Sequence, residues 1–176
     1  VEVYRTHASA TNQFIYTGMC LSNLSFNFTP NQDVRVNASF VGYEETTATK
    51  TTPTFPGSPV SPYKFNQCSF VIGGAGFDKL ESLDISFDNQ LEGIATLNTT
   101  DKICRVVRTG PQMIKFNGTV QFTSLDEYND FINQTEFNLI ATATAANSFI
   151  MQVLLPRNVF TSYSKQMDGR GRIIAN

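Results

Sequence analysis

His7 is the single histidine in 176 residues, so a Ser-His-Asp or Cys-His nucleophile would have to run through that one side chain. Chain ends fray unless something ties them down, and His7 is expected to fray, which argues against hydrolases of both kinds. Cys20, Cys68 and Cys104 are odd in number, far apart and without a C-x-x-C pair. They suggest neither a zinc site nor a disulfide framework. Small buried hydrophobes is the favoured reading, with one disulfide and a leftover thiol as the alternative. Asp84 and Asp88 lie two side chains apart on one face of an alternating segment, an arrangement open to a glycosidase carboxylate pair. Solvated acids on a polar sheet face is the reading preferred here. Gly73-Gly74-Ala75-Gly76 lacks the Gly-Lys-Ser/Thr ending and the following helix of a phosphate cradle, and reads as a flexible joint. No catalytic residue, cofactor or metal is therefore expected.

Asn23, Asn27, Asn37, Asn98, Asn117 and Asn133 each begin an N-x-S/T acceptor pattern for N-glycosylation. Three of them, Asn23, Asn27 and Asn37, fall inside alternating segments rather than loops, where crowded glycans would obstruct sheet packing. Most are read as a by-product of Asn, Ser and Thr alternating on polar faces. A secreted, glycosylated β-sandwich adhesin or receptor-binding domain is the alternative of a different class.

Thirteen basic residues against fifteen acidic ones leave a net charge of −2, far from the basic balance of a protein that grips nucleic acid. No apolar run is long enough to span a membrane, and no signal-peptide pattern is visible. The chain is long enough for one good core, and residues 1–176 are read as a single domain, cut at both ends from a longer protein.

The elements that would position these residues are mostly strands. Leu24, Phe26 and Phe28 alternate with Asn23, Ser25 and Asn27, then Val34, Val36, Ala38 and Phe40 with Arg35, Asn37 and Ser39. Pro30-Asn31-Gln32-Asp33 between them predicts a hairpin turn. From about Glu44 to Pro62 the pattern gives way to Thr, Pro, Gly and Ser, which predicts a long exposed loop. Leu83, Ile85 and Phe87 alternate with Ser82, Asp84, Ser86 and Asp88, and Asp88-Asn89 ends that strand. Ile114, Phe116, Val120 and Phe122 mark another, with Gly118 as a bulge or close approach. Ser124 as N-cap, with Glu127 at the capping-box position, opens one short helix over about Leu125 to Gln134. Two strands follow, Phe137 to Thr144 and Phe149 to Leu155, with Pro156 as terminator. No internal repeat is detectable. The fold class is mostly β, a β-sandwich or half-barrel with a single helix covering one open end.

The order of these motifs carries more than any one of them. The run from Tyr16-Thr17-Gly18 through Asn23-Leu24-Ser25-Phe26-Asn27-Phe28 resembles the hairpin opening of siphophage tail tube proteins, and the second strand ends in Phe40-Val41-Gly42 as that family's does. Leu80 to Glu92, with Asp88-Asn89-Gln90-Leu91-Glu92, looks like its strand closing in an Asn-Asn/Gly-Leu-Glu signature. Val120-Gln121-Phe122 with Tyr128-Asn129-Asp130-Phe131 is similar to its strand-then-helix unit, and Leu154-Leu155-Pro156-Arg157 to its late strand. The resemblance implies a major tail protein without enzymatic activity, assembled in the host cytoplasm and found in the virion tail. It implies homo-hexameric rings whose sheets complete a barrel, stacked into a tube that meets tape-measure, terminator and baseplate proteins. A contractile-injection or type VI secretion tube is the nearest alternative within that class.

On this resemblance double-stranded DNA transits the tube without specific binding. DNA carries about one negative charge per 1.7 Å of axis, so a wall of Lys and Arg would hold it. A wall of amides and hydroxyls would not. The side chains expected to line the lumen are Asn23, Ser25 and Asn27; Asn37 and Ser39; Ser82, Asp84, Ser86 and Asp88; and Lys115, Asn117, Thr119 and Gln121. Arg35 and Lys115 fit poorly there and are expected to pair with Asp84, Asp88 or the acids of a neighbouring copy. The Glu44 to Pro62 loop is expected to fold over the adjacent ring or the tube exterior.

Overall fold

The computed structural model describes residues 2–7, 10–49, 61–96, 102–145, 149–168 and 172–175. In chain order the elements are β1 (Glu2–His7), β2 (Ala10–Thr17), β3 (Cys20–Phe28), β4 (Arg35–Val41), β5 (Glu44–Thr49), a 3-10 turn (Phe65–Gln67), β6 (Cys68–Ile72) and β7 (Ala75–Gly76). They continue with β8 (Leu80–Asp88), β9 (Leu91–Ala95), β10 (Ile103–Arg108), β11 (Met113–Gln121), α1 (Asp126–Asn133), β12 (Phe137–Thr144), β13 (Ile150–Asn158), β14 (Lys165–Asp168) and β15 (Arg172–Ala175). Among the described residues the fold is mostly β, with one short helix and antiparallel sheets none of which closes into a barrel, consistent with a β-sandwich. The strands pair in four sheets, ordered β1-β2-β5, β10-β9, β14-β15-β11-β8-β3-β4 and β13-β12-β6-β7.

The chain divides into two compact units. The first comprises Val1–Ser25, Asn37–Pro59 and Ser86–Lys115. Its three-stranded sheet sets His7 opposite Ala10 and Thr17 opposite Glu44, so the N-terminal segment is tied into a sheet rather than frayed. The first six residues of the expected long loop are β5: Thr46, Thr47 and Thr49 are β-branched and sit well on a pleated strand, and β2 offers them a partner. Residues 50–60 of that loop lie outside the described residues. Gly18 has φ 63°, and a Cβ there would fall within the Tyr43 ring, while Tyr43 donates its N–H to the Thr17 carbonyl at 3.0 Å. Only glycine meets both demands.

The second unit comprises Phe26–Val36, Val60–Ile85 and Phe116–Asn176, and it holds every buried apolar residue among those whose burial is described. Alternation in β8 and β12 turns Leu83, Ile85, Leu139, Ala141 and Ala143 inward. Across the β12 ladders Ala141 stands opposite both Phe70 and Val153, and Leu139 opposite both Ile72 and Leu155. The small central alanines leave volume that Phe70 fills, its ring 5.5 Å edge-on from Phe28. Phe116, Phe137 and Phe160 form a second aromatic group, Phe137 and Phe160 lying 4.5 Å apart.

Several sequence expectations are corrected in detail. The residue preceding α1 is Leu125 rather than Ser124, with no side-chain cap. Ser124 donates instead to Asp126, and Glu127 is drawn to Lys79 Nζ, 3.4 Å away, so the capping box does not form. The helix ends at Gln134 in the left-handed region, φ 51°. Pro156 does not end β13. Between Phe137–Asn158 and Leu139–Leu155 the ladder advances three residues on β13 against two on β12, so Pro156 falls in a bulge of an edge strand, where its missing N–H costs no ladder bond. Gly73-Gly74 is no loose joint but the turn of the β6–β7 hairpin, both residues at positive φ. β11 runs through Gly118 unbroken, and a Cβ there would meet Leu80 and Ser82 at 3.4 Å, an ordinary contact.

Candidate functional site

The expected lumen residues occupy four strands that are consecutive in one sheet, ordered β11-β8-β3-β4. In the first unit these are Asn23 and Ser25 on β3, Asn37 and Ser39 on β4, Ser86 and Asp88 at the end of β8, and Lys115 on β11. Asn37 Nδ2 donates to Ser25 Oγ at 3.5 Å, so β4 and β3 present these amide and hydroxyl groups on a shared face. Asp88 is committed elsewhere: its two carboxylate oxygens accept the Gln90 N–H at 2.8 Å and Gln90 Nε2 at 2.7 Å. In the second unit, Asn27 Nδ2 donates to Asp84 Oδ1, joining β3 to β8, and Thr29 Oγ1 donates to Asn27 Oδ1 at 2.8 Å. Ser82 and Thr119 are half-buried, Asn117 and Gln121 exposed.

The Asn27–Asp84 bond thus spans β3 and β8. Arg35 and Lys115 are exposed, and neither takes part in the ion pairs found among the described residues. Of the sequons, Asn23 and Asn27 are half-buried, Asn37, Asn117 and Asn133 are exposed, and Asn98 lies outside the described residues.

The turn that ends β8 is a clasp the sequence did not announce. Asn89 donates its N–H to the Ser22 carbonyl and its Nδ2 to the Leu21 carbonyl, both at 2.8 Å. Gln90 sits at φ 51° and accepts the Thr109 N–H at 2.8 Å. The segment Asp88-Asn89-Gln90 therefore ties the end of β8 to the start of β3 and to Thr109, the residue after β10. A tight polar turn of this kind within a β chain fits a scaffold that must hold its strands in register.

A family model described as phage tail tube protein matches residues 1–176, the whole chain. The chain belongs to the phage tail tube protein family. No curated protein matches it in sequence. A phage tail tube protein has a structural role in the virion tail and assembles with other tail subunits. No helix among the described residues is long and apolar enough to cross a membrane.

Elsewhere in the tail tube protein, ionisable side chains serve packing. Lys79 bridges Ser124 Oγ at 3.3 Å and the buried Glu127, holding α1 to the start of β8. Tyr163 lies against Tyr128 and Phe131, and burial, then the charges of Glu127 and Tyr128, push its hydroxyl pKa up. Arg157 makes two hydrogen bonds to Glu136, which with its charge hold that carboxyl below the ordinary range.

Cys20 and Cys68 are free thiols, half-buried rather than buried; Cys104 has no described side chain. Burial pushes the Cys68 thiol from 9.0 up to about 11, and its Sγ lies 3.3 Å from the Lys64 carbonyl. Only the thiolate alkylates, so at pH 7.5 Cys68 in the folded protein is expected to react with iodoacetamide roughly a hundredfold more slowly than in urea. Mass spectrometry of quenched samples checks this; equal rates would contradict it.

Proposed function

We propose that this protein is the repeating subunit of the tail tube, a single tail-tube domain closing into hexameric rings that stack head to tail around a channel for DNA ejection. The reading is supported by the polar faces of β3, β4, β8 and β11, where amide, hydroxyl and carboxylate groups such as Ser25–Asn37 and Asn27–Asp84 are bonded to each other. These pairs contain no cation, so at them a passing duplex meets nothing that would release its counterions. The two misfits, Arg35 and Lys115, pair with acids of a neighbouring copy in this reading. Ring closure also covers sheet edges that would otherwise invite unregulated pairing, and a head-to-tail stack, being heterologous, extends into a filament. The protein performs no catalysis in this role and is assembled in the host cytoplasm before entering the virion.

Electron microscopy of the purified protein at rising concentration tests the reading. Hollow rods of uniform width are expected. Compact particles that never associate at any concentration would contradict it.

A further inference from the structure

Asn117-Gly118 is the one Asn-Gly pair in the chain; every other asparagine with a residue after it is followed by one that carries a Cβ. The side-chain amide of an asparagine can react with the backbone nitrogen of the next residue, an approach that a Cβ there crowds and glycine leaves open. Asn117 is exposed and Gly118 half-buried. Both belong to the second unit, where β11 runs through them as extended strand. Gly118 is not among the glycines at positive φ, and a Cβ on it would lie 3.4 Å from Leu80 and from the Ser82 carbonyl, an ordinary contact. Neither the backbone nor the packing therefore requires glycine here. In its sheet β11 lies between β15 and β8, and among the described residues the β15 ladder reaches only Val120 and Gln121.

We propose that Asn117-Gly118 is a site of spontaneous backbone modification, gated by the opening of β11. The Gly118 nitrogen loses its proton to solvent base and attacks Asn117 Cγ, forming a new C–N bond. The bond from Cγ to Nδ2 breaks, and Nδ2 leaves as ammonia after taking a proton from solvent. The product is a five-membered succinimide. Water opens that ring at one of its two carbonyls, giving an aspartyl or an isoaspartyl residue, with water the only co-reactant. Ring closure needs the Asn117 ψ to turn far from the roughly +135° of an antiparallel strand. The intact ladder resists that turn, and local opening permits it. The two products act differently on the strand. An aspartyl residue only places a carboxylate at an exposed position, whereas an isoaspartyl residue adds a methylene to the main chain of β11. Side chains alternate between faces residue by residue, so the positions beyond that methylene lose their parity. The site is independent of the tube reading.

The test incubates the full chain at mildly alkaline pH, folded in buffer and unfolded in guanidinium chloride, and follows amide loss at each asparagine by peptide mapping. In the unfolded chain Asn117 is expected to convert faster than any other asparagine. In the folded protein its conversion is expected to be at least about tenfold slower than in the unfolded chain. Gly118→Ala, compared in the unfolded chain so that folding plays no part, is expected to slow conversion at Asn117 several-fold. After refolding, isoaspartyl molecules are expected to be depleted from the folded fraction and aspartyl molecules retained. Another asparagine converting first in the unfolded chain, no slowing by Gly118→Ala, or equal rates at Asn117 in folded and unfolded protein overturns the proposal. Equal recovery of the two products on refolding overturns the parity argument.

Discussion

Lysine at both Asn37 and Asn117 is expected to turn a tube that lets DNA go into one that holds it. Both asparagines are exposed on strands, so lysine fits either position without disturbing a core. Asn37 donates only one long bond, to Ser25, and losing it costs about 1 kcal/mol or less. If these positions line the bore of a ring, as proposed above, every copy repeats them and the new cations form bands about that bore. A contact to six to ten phosphates then forms, and its affinity falls about 10³–10⁵-fold between 50 and 200 mM salt. Binding of linear duplex DNA to assembled tubes across that salt range is the measurement. A steep salt dependence in the variant beside negligible retention in the unaltered tube is expected; variant tubes that retain DNA no better would show that these faces lie outside the bore.

The largest stability effects belong to the buried side chains of β3 and β8. Phe28 and Ile85 are 1% and 0% exposed, one residue away in sequence from Asn27 and Asp84. Phe28→Ala removes a ring that meets Phe70 edge-on and is expected to cost about 3–5 kcal/mol, and Ile85→Ala about 2–5 kcal/mol. Ser39→Ala, on an exposed polar position of β4, is expected to stay within about 0.5 kcal/mol. Urea unfolding midpoints at unchanged slope are the readout. Equal losses at Ser39 and Ile85 would contradict the assignment of core and polar faces.

That contrast is also why the central strands were legible in the sequence. Strict alternation at Asn23–Phe28 and Ser82–Asp88 encodes both strands, and at Leu83-Asp84-Ile85 the buried and exposed faces as well, since a one-residue slip would exchange them. β12 was equally readable, with its inward Leu139, Ala141 and Ala143. The strands that went unread lack that signal. β5 is almost all Glu and Thr, and β1, β2, β9, β10, β14 and β15 are short or irregularly patterned, so that although β1–β2, β9–β10 and β14–β15 pair with near neighbours, no apolar alternation announces them. Helix α1 was visible from Tyr128, Phe131 and Ile132, but its first turn was misplaced because Glu127 answers to Lys79, forty-eight residues earlier. Pro156 was misread for the same reason: whether a proline ends a strand depends on which edge it faces. Of the polar-face residues, types and parity were legible, whereas the capture of Asp88 by Gln90 follows from a left-handed backbone that no composition announces.

The proposal as a whole depends on which side chains meet the duplex. A cryo-electron microscopy reconstruction of the assembled rods tests it most directly. The bore is predicted to be walled by Asn27, Asn37, Ser82, Asp84, Asn117 and Gln121, with Arg35 and Lys115 neutralised by acids of adjoining copies. A bore walled by unpaired arginine and lysine, or one in which those polar faces look outward, would contradict it.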